Sequence, residues 1–202
     1  TQRGTVAVMD LGTKQILAKK QKSRFNGTFI FTQAYELLYF WKDAIRCWDF
    51  LADREEILWN VPADFKISDN PAVQIHVYCN NVIYHNKRNA YLFQCMAGMK
   101  AYIVSIKDMA VDEVVQLPPI PTLSKLVYME GLDQYTLPTK DKVMVLDQDY
   151  HVVEDFAAPN LIQIMNGGGV FPICRYESSA PYKVFLSPDG KWLLLKYSAA
   201  VI

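Results

Sequence analysis

Three histidines and four cysteines are the residues of this chain best suited to metal or nucleophile chemistry. His76-x-x-Cys79, followed by His85 and Cys95, has the residue types of a zinc set. Its spacing matches no compact zinc motif. On an extended segment, residues three apart also point to opposite faces. Partly buried, hydrogen-bonded histidines are expected instead, and no metal site is assigned. A nucleophilic enzyme needs a base beside its Ser or Cys. No Gly-x-Ser-x-Gly occurs, and Cys47, Cys79, Cys95 and Cys174 lack an activating context.

Carboxylate pairs stand at Glu55-Glu56, Asp112-Glu113 and Glu154-Asp155. Two carboxyls flanking a glycosidic bond can hydrolyse it. Each pair here lies in or beside a turn, where solvated carboxylates are ordinary. Asn166-Gly167-Gly168-Gly169 offers backbone N–H groups to an anion, but a glycine run is equally a turn. The chain is therefore assigned no catalytic residue and no cofactor.

Partner-binding candidates come from two polar stretches. Pro62–Pro71 surrounds the apolar Phe65 with Asp64, Lys66, Ser68, Asp69 and Asn70. Asn86-Lys87-Arg88-Asn89 is a polar turn whose arginine offers a planar fork to a partner carboxylate. Phe65, Lys66, Lys87 and Arg88 are the expected contact residues. Phe65 has a second expected role, tucking its loop onto the blade below.

The elements that must position these residues are hairpins. In Ile45–Phe50, Ile45, Cys47 and Asp49 alternate with Arg46, Trp48 and Phe50. A turn at Ala52–Glu55 leads into Glu56–Val61, stopped by Pro62. Period-two alternation bounded by turn residues predicts strands. The same grammar recurs at Thr5–Ala18, Tyr102–Leu117, Val143–Glu154 and Lys183–Leu195. Asp10, Asp49, Lys107, Asp147 and Ser187 align at intervals of about 40 residues, except one of about 58, and such a period marks a propeller array. The long interval is expected to hold insertions at Ala63–Pro71 and Asn80–Asn89, with Asn80-Asn81 as a turn. Asn26-Gly27 reads as a turn, and Lys19–Arg24 as a solvated connection. Pro118–Pro121 reads as a stiff boundary between units. Further strands are expected at Thr28–Thr32, Glu36–Trp41, Val73–Cys79, Val82–His85, Ala90–Met96, Leu123–Met129, Gln134–Leu137, Asn160–Met165 and Val170–Tyr176.

Ile45-Arg46-Cys47-Trp48-Asp49 resembles the third strand of a WD-repeat blade, and Ser187-Pro188-Asp189-Gly190-Lys191 resembles a turn common in propellers. The chain departs from the WD family in having one Trp-Asp pair and no Gly-His dipeptide. The resemblance implies an all-β fold: a small β-propeller of about five four-stranded blades, one of them incomplete, as a single domain over residues 1–202. Trp192–Ile202 would pair beside Thr5–Asp10 to close the ring.

Composition bounds the rest. Apolar residues make up 51% of 202, enough for a sizeable core, and exclude disorder. Twenty-one basic and 21 acidic residues cancel, so no nucleic-acid footprint is expected. No apolar run reaches the ~18 residues of a membrane span. Sparse cysteine predicts free thiols and a reducing, cytoplasmic compartment. The expected function is a non-enzymatic protein-binding scaffold, with an inhibitor or immunity-type protein as a narrower version. The alternatives are a glycan-acting hydrolase or lectin, or a fragment of a larger propeller.

Overall fold

The structure, a computed structural model, describes residues 3–23, 28–66, 75–98, 100–118, 125–139, 142–157, 183–186 and 193–196, with backbone alone at 3, 4, 22, 23, 66, 183–186 and 193–196. The fold is all-β. Every described element except one single 3-10 turn, Ala63–Lys66, is a strand. The 25-residue stretch 158–182 with its glycines and Cys174, the Ser187–Lys191 turn, Asn26-Gly27 and Pro119–Pro121 lie outside the described residues.

Among the described residues, five sheets follow one another along the chain. The first is a hairpin of β1 (Arg3–Met9) and β2 (Ile16–Ser23). Next comes a four-stranded meander of β3 (Phe29–Phe31), β4 (Leu37–Phe40), β5 (Ala44–Asp49) and β6 (Arg54–Asn60). The third sheet holds β7 (Val77–His85), β8 (Ala90–Ala97), β9 (Lys100–Lys107) and β10 (Ala110–Gln116). The fourth holds β11 (Val127–Met129), β12 (Gln134–Pro138), β13 (Lys142–Leu146) and β14 (Val152–Ala157). The last is a hairpin of β15 (Lys183–Leu186) and β16 (Leu193–Lys196). The five aligned hairpins of the sequence are thus the final two strands of each four-stranded sheet, and the whole of each two-stranded one.

Turn chemistry explains the register. Lys42 and Asp43, then Asp108 and Met109, both carry positive φ in two-residue connections. Trp41 and Ala44 exchange backbone hydrogen bonds of 2.9 and 3.2 Å across the first. Two successive positive φ values make the type I′ turn, whose twist matches that of the strands it joins. The longer turns use aspartate. Asp10 Oδ1 accepts the Gly12 and Thr13 N–H groups at 2.7 and 2.9 Å, and Asp49 Oδ1 accepts those of Leu51 and Ala52 at 3.1 and 3.0 Å.

Two expectations need correction. Asn80-Asn81 is not a turn: β7 runs straight through it with a bulge between Cys79 and Asn81. Asparagine's turn preference yields there to the pairing of the flanking residues with β8. The run Lys19–Ser23 is not a connection but the second half of β2. Lys20 bonds Glu55 at 2.6 Å and stands 4.8 Å over the Trp48 ring, so β1–β2 packs on β3–β6.

The chain divides into two compact units. One comprises Thr1–Gly98 with Ile103–Val115; the other comprises Met99–Tyr102 with Gln116–Ile202. In the first, Val8, Leu37, Tyr39, Trp48 and Phe50 form a buried cluster. In the second, Leu126, Met129, Tyr135, Leu137, Val143, Met144 and Tyr150 are buried, with Tyr135 and Tyr150 stacked at 5.1 Å.

Candidate partner-binding surface

The meander sorts the loops by end. In β3–β6 the first and third connections, Thr32–Glu36 and Phe50–Asp53, lie at one end, and Trp41–Asp43 lies at the other. The next sheet is fixed against this one at both ends. Thr28 Oγ1 donates to the Cys79 carbonyl at 2.9 Å near the start of β7. Gln33 N–H donates to the Tyr91 hydroxyl at 2.9 Å and its Nε2 to the Tyr84 hydroxyl at 2.7 Å, near the Asn86–Asn89 turn. Tyr84 in turn donates to Asn89 Oδ1 at 2.7 Å. The two tyrosine rings lie 5.0 Å apart, tilted by 40°. Burial raises the Tyr91 pKa above the ordinary tyrosine value, and the hydrogen bond from Gln33 opposes that shift.

This lock holds the Thr32–Glu36 loop in one shape. Thr32 N–H donates to the Glu36 carbonyl at 2.8 Å, Tyr35 N–H to the Thr32 carbonyl at 3.1 Å, and Glu36 N–H to Thr32 Oγ1 at 3.0 Å. The result is Tyr35 at φ 62° with 75% of its surface exposed. A bulky residue in the left-handed region costs about 1–3 kcal/mol. Leu51, 74% exposed, tops the third connection at the same end.

Lys87 and Arg88 also belong to this end, on the turn after β7. Lys87 is exposed, and its N–H donates to Asn86 Oδ1 at 2.8 Å. Arg88 N–H donates to Nδ1 of the buried His85 at 3.2 Å, and its guanidinium lies 4.0 Å from Glu113. Phe65 and Lys66 lie elsewhere. Val61 N–H donates to the Asp43 carbonyl at 2.8 Å, which places the 3-10 turn that follows at the opposite end. Phe65 stands edge-on to Trp59 with centroids 6.1 Å apart, so it packs its turn onto β6. Nine residues of β7 separate the two pairs, roughly 25–30 Å at about 3.3 Å per residue. The structure therefore brings Lys87 and Arg88 together, and Phe65 and Lys66 together, but not all four.

The residues with chemical potential are structurally engaged. Glu55 is held by Arg46 at 2.9 Å and by Lys20 at 2.6 Å, and Asp155 by Lys142 at 2.6 Å. Among the described residues, no group of three His, Cys, Asp or Glu side chains converges to hold a metal. His76 is exposed while Cys79 is buried, as the opposite-face argument requires. Cys79 and Cys95 are cross-strand neighbours, and with Cys47 they are free thiols. The hydrogen bond with Cys79, added to burial, holds the Cys95 thiol well above its ordinary range. No helix among the described residues is long and apolar enough to cross a membrane.

Sequence reasoning missed Tyr35, Gln33, Tyr84, Tyr91 and Leu51. A glycine at position 35 would have signalled positive φ; a tyrosine does not.

No protein-family model matches the chain, and no curated protein matches it. Solved structures do. The β-propeller domain of Myceliophteria thermophila Cps50 (Swd1) superposes with a TM-score of 0.58 at 17% identity, over 95% of this chain and 55% of that one. A protein of unknown function from Bacteroides caccae gives a TM-score of 0.51 at 15% identity, over 75% of this chain and 53% of that one. The chain spans about half the length of these neighbours. Antiparallel four-stranded sheets in series, with this likeness, give the chain the fold of a β-propeller.

Proposed function

We propose that the chain is a non-enzymatic protein-binding platform whose contact surface is the loop end carrying Tyr35, Leu51, Lys87 and Arg88. The observation that carries this reading is Tyr35, held exposed at positive φ by the Gln33–Tyr84–Tyr91–Asn89 lock. The turn sets that backbone angle, as it does at Lys14, Asp53 and Tyr150, and at position 35 it leaves the ring in solvent. A pre-organised loop loses little entropy on binding. An exposed rigid tyrosine is also a frequent interface anchor. Arg88 would exchange its long contact with Glu113 for a partner carboxylate. Phe65 and Lys66 would form a separate contact, available to a partner that spans the length of β7.

A partner recovered by pull-down from the native source provides the assay. Tyr35→Gly relieves the strain, so stability is expected to hold or rise while affinity falls at least tenfold, about 1.4 kcal/mol. Unchanged affinity in both Tyr35→Gly and Arg88→Ala would overturn the assignment. The glycan-binding alternative would place a sugar on the Tyr84–Tyr91 pair. A glycan array with a hit abolished by Tyr91→Ala would favour it instead.

A further inference from the structure

Two buried thiols meet across β7 and β8. These strands pair antiparallel, with Val77 opposite Ala97, Tyr78 opposite Met96 and Cys79 opposite Cys95. Directly opposed residues share one face of a sheet, with Cβ atoms about 4.5–5.5 Å apart. Burial on β7 agrees: Val77 and Cys79 are buried, and Tyr78 between them is 38% exposed. Opposed Cα atoms stand about 4.5 or 5.5 Å apart, and both values lie within the roughly 4.4–6.8 Å that a disulfide spans. The thiols are within reach of each other, for that of Cys95 is hydrogen-bonded with that of Cys79. Both are reduced.

The pair stands beside the bulge of β7. Cys79 Sγ donates to the Asn81 carbonyl at 3.0 Å, across the bulge, and the Cys79 carbonyl accepts Thr28 Oγ1 at 2.9 Å. A slip of one residue before the bulge would turn Val77 and Cys79 to the other face. A covalent link from Cys79 to Cys95 forbids that slip. The two thiols are not equivalent. Cys79 keeps 8% of its surface exposed and Cys95 keeps 0%, so an oxidant meets Cys79 first. The hydrogen bond with Cys79, then burial, then the charge of an ionised Cys79 hold the Cys95 thiol up. Oxidation of the Cys79 sulfur removes the thiol that causes the first and third. Cys95 is thereby released as a nucleophile when its target has formed beside it.

We propose that Cys79 and Cys95 form a redox-sensitive clamp, joined reversibly as a cross-strand disulfide by a peroxide. The Cys79 thiolate attacks one peroxide oxygen and the O–O bond breaks. Cys79 becomes a sulfenic acid, and the departing hydroxide takes the proton that Cys79 lost, giving water. The Cys95 sulfur then attacks the Cys79 sulfur. The S–S bond forms, the S–O bond breaks, and the hydroxyl leaves as water with the Cys95 proton. Two thiols lose two electrons, and one peroxide is reduced to two waters. A thiol reductant reverses the link by exchange. The pair lies near the start of β7, away from Lys87 and Arg88 beyond its far end, so its test is independent of the loop-end reading.

The test uses the full chain, fully reduced, exposed to hydrogen peroxide and quenched with N-ethylmaleimide. Trypsin cuts at Lys87 and Arg88, between the two cysteines. The expected product has lost two hydrogens, joins the Cys79 and Cys95 peptides, leaves Cys47 alkylated, and returns to the starting mass with dithiothreitol. Its thermal midpoint should rise by about 5–10 °C, because the link closes a loop of roughly 15 residues in the unfolded chain. Cys95→Ala should leave a Cys79 sulfenic acid that dimedone traps, and Cys79→Ala should leave Cys95 unlabelled. A disulfide to Cys47 or Cys174 instead, or Cys79 passing to sulfinic acid while Cys95 stays reduced, would overturn the proposal. An unchanged or lower midpoint in the linked protein would overturn the clamp. Dimedone on Cys95 in Cys79→Ala would overturn the order of attack.

Discussion

Truncating Trp48 tests the packing of β1–β2 on β3–β6 directly. Its side chain is 1% exposed, its indole N–H donates to Asp53 Oδ1 at 3.0 Å, and Phe50 meets it edge-on at 6.3 Å. Trp48→Ala removes a fully buried indole and strands the Lys20 ammonium above a void. Such a change costs about 3–5 kcal/mol. With a urea slope near ~2.5 kcal/mol/M, the midpoint should fall by about 1.2–2 M. Trp48→Phe keeps most of the apolar contact and loses the hydrogen bond, worth about 1 kcal/mol or ~0.4 M. Far-UV circular dichroism reads both transitions. If Trp48→Ala moves the midpoint by less than about 0.4 M, the indole is not buried between the two sheets. If Trp48→Phe is as damaging as Trp48→Ala, the hydrogen bond to Asp53 carries the site and the burial argument fails.

Two pH effects follow from the same unit and its neighbour. Burial, and then the nearby Glu36 carboxylate, push the Cys47 thiol up to about 12 from an ordinary 9.0. A raised folded value means that its contribution is intact below pH 9 and is lost as pH rises toward 12, so Cys47→Ala should flatten the alkaline limb of a stability–pH curve. Backbone N–H groups, from Thr13 and Gly12 for Asp10 and chiefly from His151 for Asp147, hold both carboxyls below their ordinary 3.8. Depressed values contribute stability above that pH and lose it as acid protonates them. An Asp10→Asn, Asp147→Asn double variant should therefore show a shallower fall below about pH 4, read from thermal midpoints.

The architecture was legible because its signal is local. The strands in Ile45–Phe50 and Val143–Leu146 are largely buried on both faces, and each ends at an aspartate that opens a turn, so the boundary between strand and turn is written residue by residue. The bulge at Cys79–Asn81 was not legible, because two asparagines read as a turn unless the pairing of both flanks with β8 is known. The binding surface was half legible. Lys87 and Arg88 stand out as charges in a turn. Phe65 stands out as an apolar residue in a polar loop, yet Trp59, six residues earlier, gives it a partner. Tyr35 became visible only through a backbone angle and through hydrogen bonds reaching Tyr84 and Tyr91, more than forty positions away.

The repeat persists without a shared motif because its hairpin turns have more than one physical solution. Among the described residues, three hairpins close with an aspartate that accepts N–H groups ahead of it: Asp10, Asp49 and Asp147, the last bonded to Asp149 and His151 at 2.9 and 2.8 Å. Each such turn then needs one residue at positive φ, supplied by Lys14, Asp53 and Tyr150. At Gly12 the packing is tight, since a Cβ would lie 3.2 Å from Asp10 Oδ1. The hairpin after Lys107 has no aspartate at the aligned position and closes instead with the two-residue turn Asp108–Met109. Both solutions bring the chain back antiparallel with the apolar face inward, which is what the packing of each sheet demands. A Trp-Asp pair is therefore one local arrangement among several. In this chain it appears once, where Trp48 also donates to Asp53 and so ties the core to the turn. A repeat defined by burial and turn geometry can hold its spacing while its residues drift, and that explains how this chain keeps a propeller fold at 17% identity to its structural neighbour.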